Sequence, residues 1–119
     1  MGGAFSDPSI EVSPEQVQAW LEEEPRRVQV VDVRETYEHD AGRIAGTQHI
    51  ELERVASRAG DLDKSRPVVF HCRAGVRSAM AAQAFRQAGY DAWSMAGGLV
   101  RWDEEGRALE PEGGRVADH

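Results

Sequence analysis

The chain has one cysteine, Cys72, inside the stretch FHCRAGVRSAM that runs from Phe70 to Met80. Arg73 and Arg77 stand one and five positions after it, with Gly75 between them. A thiol attacks as its thiolate, which arginines and a nearby helix N-terminus favour. An apolar run precedes Cys72 and an alanine-rich segment follows it, so the residue sits at a strand-to-helix junction. If the loop between them curls, the backbone N–H groups of Arg73, Ala74, Gly75, Val76 and Arg77 converge on one anion, reinforced by the dipole of the following helix. Gly75 permits the curl, since it takes positive φ without steric cost. Arg73 and Arg77 are placed to attract an anionic substrate; alternatively, Arg77 braces the loop by pairing with a buried carboxylate. A lone cysteine ending a buried strand is commonly a small core residue. Two arginines, a glycine and a helix start within six residues single this one out as functional.

The elements that must position this loop follow from pattern. SIEV gives a short strand signal, and SPEQVQAWLEEEP reads as a helix with Ser13 as N-cap, Pro14 at its first position and Gln16 completing a capping box. Val17, Trp20 and Leu21 form its apolar stripe. VQVVDVRE is a valine-rich central strand with Asp32 and Arg34 at its C-terminal end. TYEHDAGRIAGTQHIEL is a glycine-punctuated loop with one helical turn and a short strand around Gln48, followed by a modest helix through Leu52, Val55, Ala56 and Ala59. RPVVFH is a second buried strand. A helix is expected from Ser78, with Ala81, Phe85 and Ala88 on its apolar face and Gly89 as its stop. YDAWSM is a third strand, and AGGLVRWDEEG a turn and short helix. Alternating strands and helices predict an α/β domain whose central, mainly parallel sheet has about five strands and helices on both faces. Ligands of such sheets gather at the C-terminal strand ends, where Asp32, Arg34 and Cys72 all map.

At 119 residues the chain is the size of one domain. Residues 1–8 are expected to be a flexible N-terminus, 9–108 the folded domain and 109–119 a flexible acidic tail. Fourteen basic against 21 acidic residues give a net charge of −7 without one acidic block. That balance argues against a nucleic-acid or anionic-membrane binder, which needs a basic face. No apolar run approaches a membrane span, and the start MGGAFSDPSI lacks an export signal, so a cytoplasmic protein is expected. One cysteine makes neither an internal disulfide nor a CxxC pair, and His39, His49 and His119 lack metal-ligand spacing, so neither metal nor cofactor is expected. His71 is next to Cys72, but strand alternation turns it to the opposite face. Asp32 and Arg34 read as loop support, Asp32 accepting loop amides and Arg34 bridging to Glu38 or Glu35. Trp93 and Trp102 read as core residues, with Trp102 a candidate for the pocket wall.

HCRAGVRS resembles the active-site loop of rhodanese-type sulfurtransferases. VVDVRETYEHDAGRIAGTQHI resembles that family's upstream signature, and MAGGLVRW its Gly-Gly turn before a helix with Trp. Together these span Val31 to Trp102 in the family's order. Arg43 and Ala45 stand where the family usually has His and Pro. The resemblance implies a single rhodanese-like domain in which Cys72 takes sulfur from thiosulfate or a related persulfide donor, forms a persulfide, and passes the sulfur to cyanide or a cellular thiol. The implied partners are a small anionic donor and a thiol acceptor such as glutathione or a thioredoxin-like protein. Cysteine phosphatases have one more residue between Cys and Arg, and Ser78 stands where their arginine falls, so the shorter cradle suits a single sulfur atom better than a phosphoryl group. A non-catalytic rhodanese-like module that binds a partner or relays sulfur is the main alternative.

Overall fold

The computed structural model describes residues 8–119. The expected flexible N-terminus therefore falls outside the described residues except for Pro8, which opens a 3-10 turn over Pro8–Ile10. Five strands then alternate with five α-helices: β1 (Glu11–Val12), α1 (Pro14–Glu23), β2 (Gln29–Asp32), α2 (Thr36–Ala41), β3 (Gln48–His49), α3 (Leu52–Val55), β4 (Val68–His71), α4 (Val76–Gln87), β5 (Ala92–Met95) and α5 (Gly98–Glu104). The strands form one sheet in the order β1-β5-β4-β2-β3. Every pair is parallel, so each C-terminal strand end points to the same edge.

Alternation along the central strands builds two cores. Val31, Val68 and Phe70 face one side, where they pack with Ala81, Ala82 and Phe85 of α4 and Val55 of α3. Val30 and Val69 face the other, against Val17 of α1 and Leu99 and Trp102 of α5. With both faces covered, β2 and β4 are buried along their whole length, which is why their sequences are runs of apolar residues rather than alternating ones. Phe70 and Phe85 meet at 5.0 Å between ring centroids and fix α4 over β4. The start of α1 forms the Ser13 half of the expected capping box: Ser13 Oγ accepts from the Gln16 amide at 3.1 Å, with Pro14 at the first helical position.

Three local expectations shift. The segment after Arg34 holds a six-residue helix rather than one turn, because the Glu38 carboxylate accepts from the Glu35 amide at 3.0 Å and closes the N-terminus of α2. The helix after Cys72 begins at Val76, two residues early, directly on the positive-φ glycine Gly75. Residues 109–119, expected as a loose tail, are laid along the domain: Arg43 and Glu110 exchange backbone hydrogen bonds at 2.9 and 2.7 Å, and the Arg115 amide donates to Ala41 O at 2.9 Å.

His71 lies where alternation places it, buried in the sheet on the side away from Cys72. Neither ring nitrogen has a hydrogen-bond partner. Burial disfavours its charged form and lowers its pKa from 6.5 to about 4, against an opposing pull from Asp32. As pH falls from 6.5 towards 4, the unfolded chain binds a proton at His71 that the native chain refuses, so stability drops through that window and not above it. We predict a loss on the order of 3 kcal/mol from this residue, read as the difference between the urea-unfolding pH profiles of wild type and His71→Phe. Superimposable profiles would refute it.

Candidate active site

β4 ends at His71, and the chain turns at once through Cys72–Gly75 into α4. The turn depends on Gly75, whose φ of +106° a side chain would strain. Cys72 is buried, its sulfur at the floor of a cleft of about 220 Å3 walled by Arg73, Ala74, Val76, Arg77 and His119. Sγ accepts from the Gly75 amide at 3.1 Å and from the Ser78 amide at 3.4 Å. Ser78 Oγ lies 3.5 Å from Sγ and 2.8 Å from Ser94 Oγ, a buried polar chain leading back to β5. The sulfur thus faces backbone donors at the N-terminus of a twelve-residue helix, an arrangement that holds negative charge.

Arg77 walls the cleft but is paired within the protein. Its two terminal nitrogens clamp the Glu38 carboxylate at 2.7 and 3.0 Å in a bidentate pair. Glu38 is fully buried; burial opposes its charge, yet the Arg77 fork and the Glu35 amide hold its carboxyl below the usual range, and the bonds to Glu38 push Arg77 up against its own burial. Of the two readings of Arg77, the geometry shows the brace. Glu38 is the functional-site residue that sequence reasoning did not assign to the loop.

Arg73 is also engaged. Its Nε donates to Ala117 O at 3.1 Å, and Nη2 stands 3.5 Å from Asp118 Oδ1. With both guanidiniums turned to protein partners, the loop amides are the cleft's closest donors to the sulfur.

Asp32 and Arg34 support the neighbouring loop, but with different partners from those expected. Side chains two apart on a strand share a face, so Arg34 folds back on Asp32, with Nε 2.9 Å and Nη2 2.7 Å from its oxygens. Nη2 also donates to Gly42 O at 2.7 Å. This replaces the expected bridge to Glu38 or Glu35: Glu38 is taken up by Arg77, and Glu35 is exposed whereas Arg34 is buried. Asp32 does accept a loop amide, that of Arg34 itself at 3.0 Å. Burial opposes the charge of Asp32, but His71, the Arg34 fork and His39 together hold its carboxyl far below its ordinary range. With His71 neutral at pH 7, the Arg34 fork is the stronger of these. His39 stacks on His49 at 4.2 Å, and His49 Nε2 meets Arg34 O at 2.8 Å, so this cluster fixes the segment from Arg34 to His49.

The turn at Gly97-Gly98 closes the loop from behind. The Leu99 and Val100 amides at the start of α5 donate to Cys72 O and Arg73 O, each at 2.9 Å. Gly98, at φ +59°, comes so close that a Cβ would stand 2.5 Å from Arg73 O and 2.7 Å from Cys72 O. Trp102, a candidate for the pocket wall, is instead core under α1, its indole N–H donating to Ala108 O at 2.9 Å. Trp93 is half-buried with the Arg86 guanidinium 4.5 Å from its ring.

Fold and site together define a parallel α/β domain that presents one cysteine in an amide-lined loop at the carboxyl edge of its sheet. The rhodanese-like domain family model matches residues 13–105, most of the chain, and the chain belongs to that family. Among relatives, it is 36% identical over 99 residues to the thiosulfate sulfurtransferase GlpE of Pseudomonas aeruginosa, covering 82% of this chain and 87% of that one. It is 35% identical over 97 residues to the probable adenylyltransferase/sulfurtransferase MoeZ of Mycobacterium tuberculosis, but spans only 24% of that protein. It spans 62% of the uncharacterized protein YqhL of Bacillus subtilis, at 35% identity. The crystal structure of a rhodanese-related protein from Thermoplasma volcanium superposes with a TM-score of 0.75 at 25% identity, covering 83% of this chain and 95% of that one.

Two substitutions test the construction of the loop. Arg77→Ala strands the buried Glu38 carboxylate and should cost about 3 kcal/mol, the low end for a buried pair because the Arg77 side chain is 16% exposed. Adding Glu38→Leu should recover much of that loss in urea unfolding; a double variant no more stable than the single one would show that the pair is not the cause. Gly98→Ala drives a methyl into the Cys72–Arg73 backbone and should cost about 1–3 kcal/mol, with unchanged thermal unfolding as the contrary result.

Proposed function

We propose that the chain is a sulfurtransferase that carries sulfane sulfur on Cys72. The observation that carries this reading is the Sγ of Cys72 held at 3.1 and 3.4 Å by the Gly75 and Ser78 amides at the floor of the cleft. The Cys72 thiolate attacks the outer sulfur of thiosulfate. A new S–S bond forms as the old one breaks, and sulfite leaves with the electron pair. The product is a Cys72 persulfide whose terminal sulfur is an anion. The amides of Val76 and Arg77 precede the first backbone bond of α4, from Ala79 to Gly75 O, and supply donors for it. An acceptor then attacks the outer sulfur and releases the Cys72 thiolate. Cyanide serves in an assay; the cellular acceptor is a thiol, of the glutathione or thioredoxin-like kind. Every step exchanges one S–S or S–C partner for another, so no external oxidant or cofactor enters.

Thiosulfate as donor draws support from the name of the Pseudomonas aeruginosa relative and from that of the Shewanella oneidensis GlpE, 35% identical over 82 residues. The position a phosphatase gives to arginine is held by Ser78, a buried hydroxyl beside the sulfur, which leaves no cation there for a phosphoryl group. Among the described residues no helix is long and apolar enough to cross a membrane.

Thiosulfate treatment of the reduced protein should add the mass of one sulfur atom, and cyanide should remove it with formation of thiocyanate. Cys72→Ser should do neither. A wild type that gains sulfur but shows no turnover with cyanide or a thiol would favour a relay module, and one that gains none would refute thiosulfate as donor.

A further inference from the structure

The segment after Glu110 carries no apolar pattern, yet it is anchored at successive points along the active-site side of the domain. Gly42 touches the Arg115 backbone so closely that a Cβ there would lie 2.3 Å from Arg115 O. Ala117 is 5% exposed. Arg73, from the Cys loop itself, donates to Ala117 O at 3.1 Å. His119 Nε2 stands 3.2 Å from Glu35 Oε2 at the start of α2. The outcome is that His119 walls the Cys72 cleft. It also walls a second cavity of about 250 Å3 lined by Val33, Glu35, Leu52 and Arg77 among others, so it borders both spaces.

We infer that residues 115–119 are a strap across the mouth of the Cys72 cleft, with Arg73 as its latch and His119 as the wall that limits the size of molecule reaching the sulfur. Arg73 thereby gains a role other than drawing in an anion: its Nε is directed to the strap carbonyl rather than to the cleft. The fastening is light. Its ion pairs involve Asp118, which is fully exposed, and a half-exposed His119–Glu35 pair, and exposed pairs contribute little. The apolar anchoring is short, limited to buried Ala117 and a partly buried Val116 packed on the Val17–Leu99 core. A strap held this way opens readily, so a small donor enters past it while a large acceptor waits for it to lift.

This rests on the proposed function only for the identity of the substrates; access to Cys72 is measurable without any turnover. Rate constants for alkylation of Cys72 are compared for N-ethylmaleimide and for the much bulkier N-pyrenylmaleimide. Both reagents are uncharged and both consume the thiolate, so their ratio cancels any change in thiolate fraction. Arg73→Lys keeps the charge and loses the Nε–H, and Gly42→Ala displaces the strap at Arg115 while leaving the Arg73 side chain intact. In each, the bulky-to-small ratio should rise several-fold over wild type. An unchanged ratio in either folded variant overturns the strap. A wild type that gains no sulfur from thiosulfate, but whose ratio rises in both variants, refutes the donor and leaves the strap standing.

Discussion

Glu38 is a carboxylate without access to water, and its charge survives there because the Arg77 fork and the Glu35 amide take up both its oxygens. That one pair, between residues 39 positions apart in sequence, joins the N-terminus of α2 to the first turn of α4. Removing the guanidinium would leave a bare buried charge, a far greater cost than the pair's net gain. The position of the Cys loop is therefore tied to that of α2, and through α2 to the Asp32–Arg34 cluster at the end of β2. The site is a consequence of charge that must be neutralised inside the domain.

The same pairing decides what recognises an anion. Arginines beside a cysteine suggest cations aimed at substrate, but Arg77 is held by Glu38 and Arg73 by Ala117 O. Backbone amides remain, and they are fixed in place by α4 behind and by α5, whose first amides bind the loop's carbonyls. Gly98 is needed because no side chain fits between α5 and the loop. Donors held by backbone on both sides need little reorganisation when negative charge develops beside them.

Much of this was legible in the sequence. The buried strands announced themselves as valine runs, α1 by its cap and stripe, and Cys72 by the local grouping of Arg73, Gly75, Arg77 and Ser78. What was not legible is long-range or carried by backbone. Arg34 has candidate partners on either side, and the choice of Asp32 over Glu38 follows from strand alternation and burial together. Glu38 was read as a candidate partner for Arg34; the spacing Glu35 to Glu38 marks a helix start and says nothing about Arg77. The segment 109–119 is fastened mainly through main-chain carbonyls and amides, which every residue possesses, so its composition read as a tail.

Ser78 and Ser94 show how one cradle serves two states of the sulfur. Both hydroxyls are buried, and each is a donor and an acceptor whose hydrogen rotates to suit its neighbours. With Cys72 as a thiol, the S–H points to Ser78 Oγ, which donates in turn to Ser94 Oγ. With Cys72 as a thiolate, the chain reverses: Ser94 donates to Ser78, and Ser78 donates to the sulfur. Both arrangements can use the same three heavy atoms, Sγ, Ser78 Oγ and Ser94 Oγ, at the same separations. An arginine at position 78 would offer only donors and would have to displace the Ser94 hydroxyl from the core. A small hydroxyl in that place can serve either charge state of the sulfur, because it both donates and accepts.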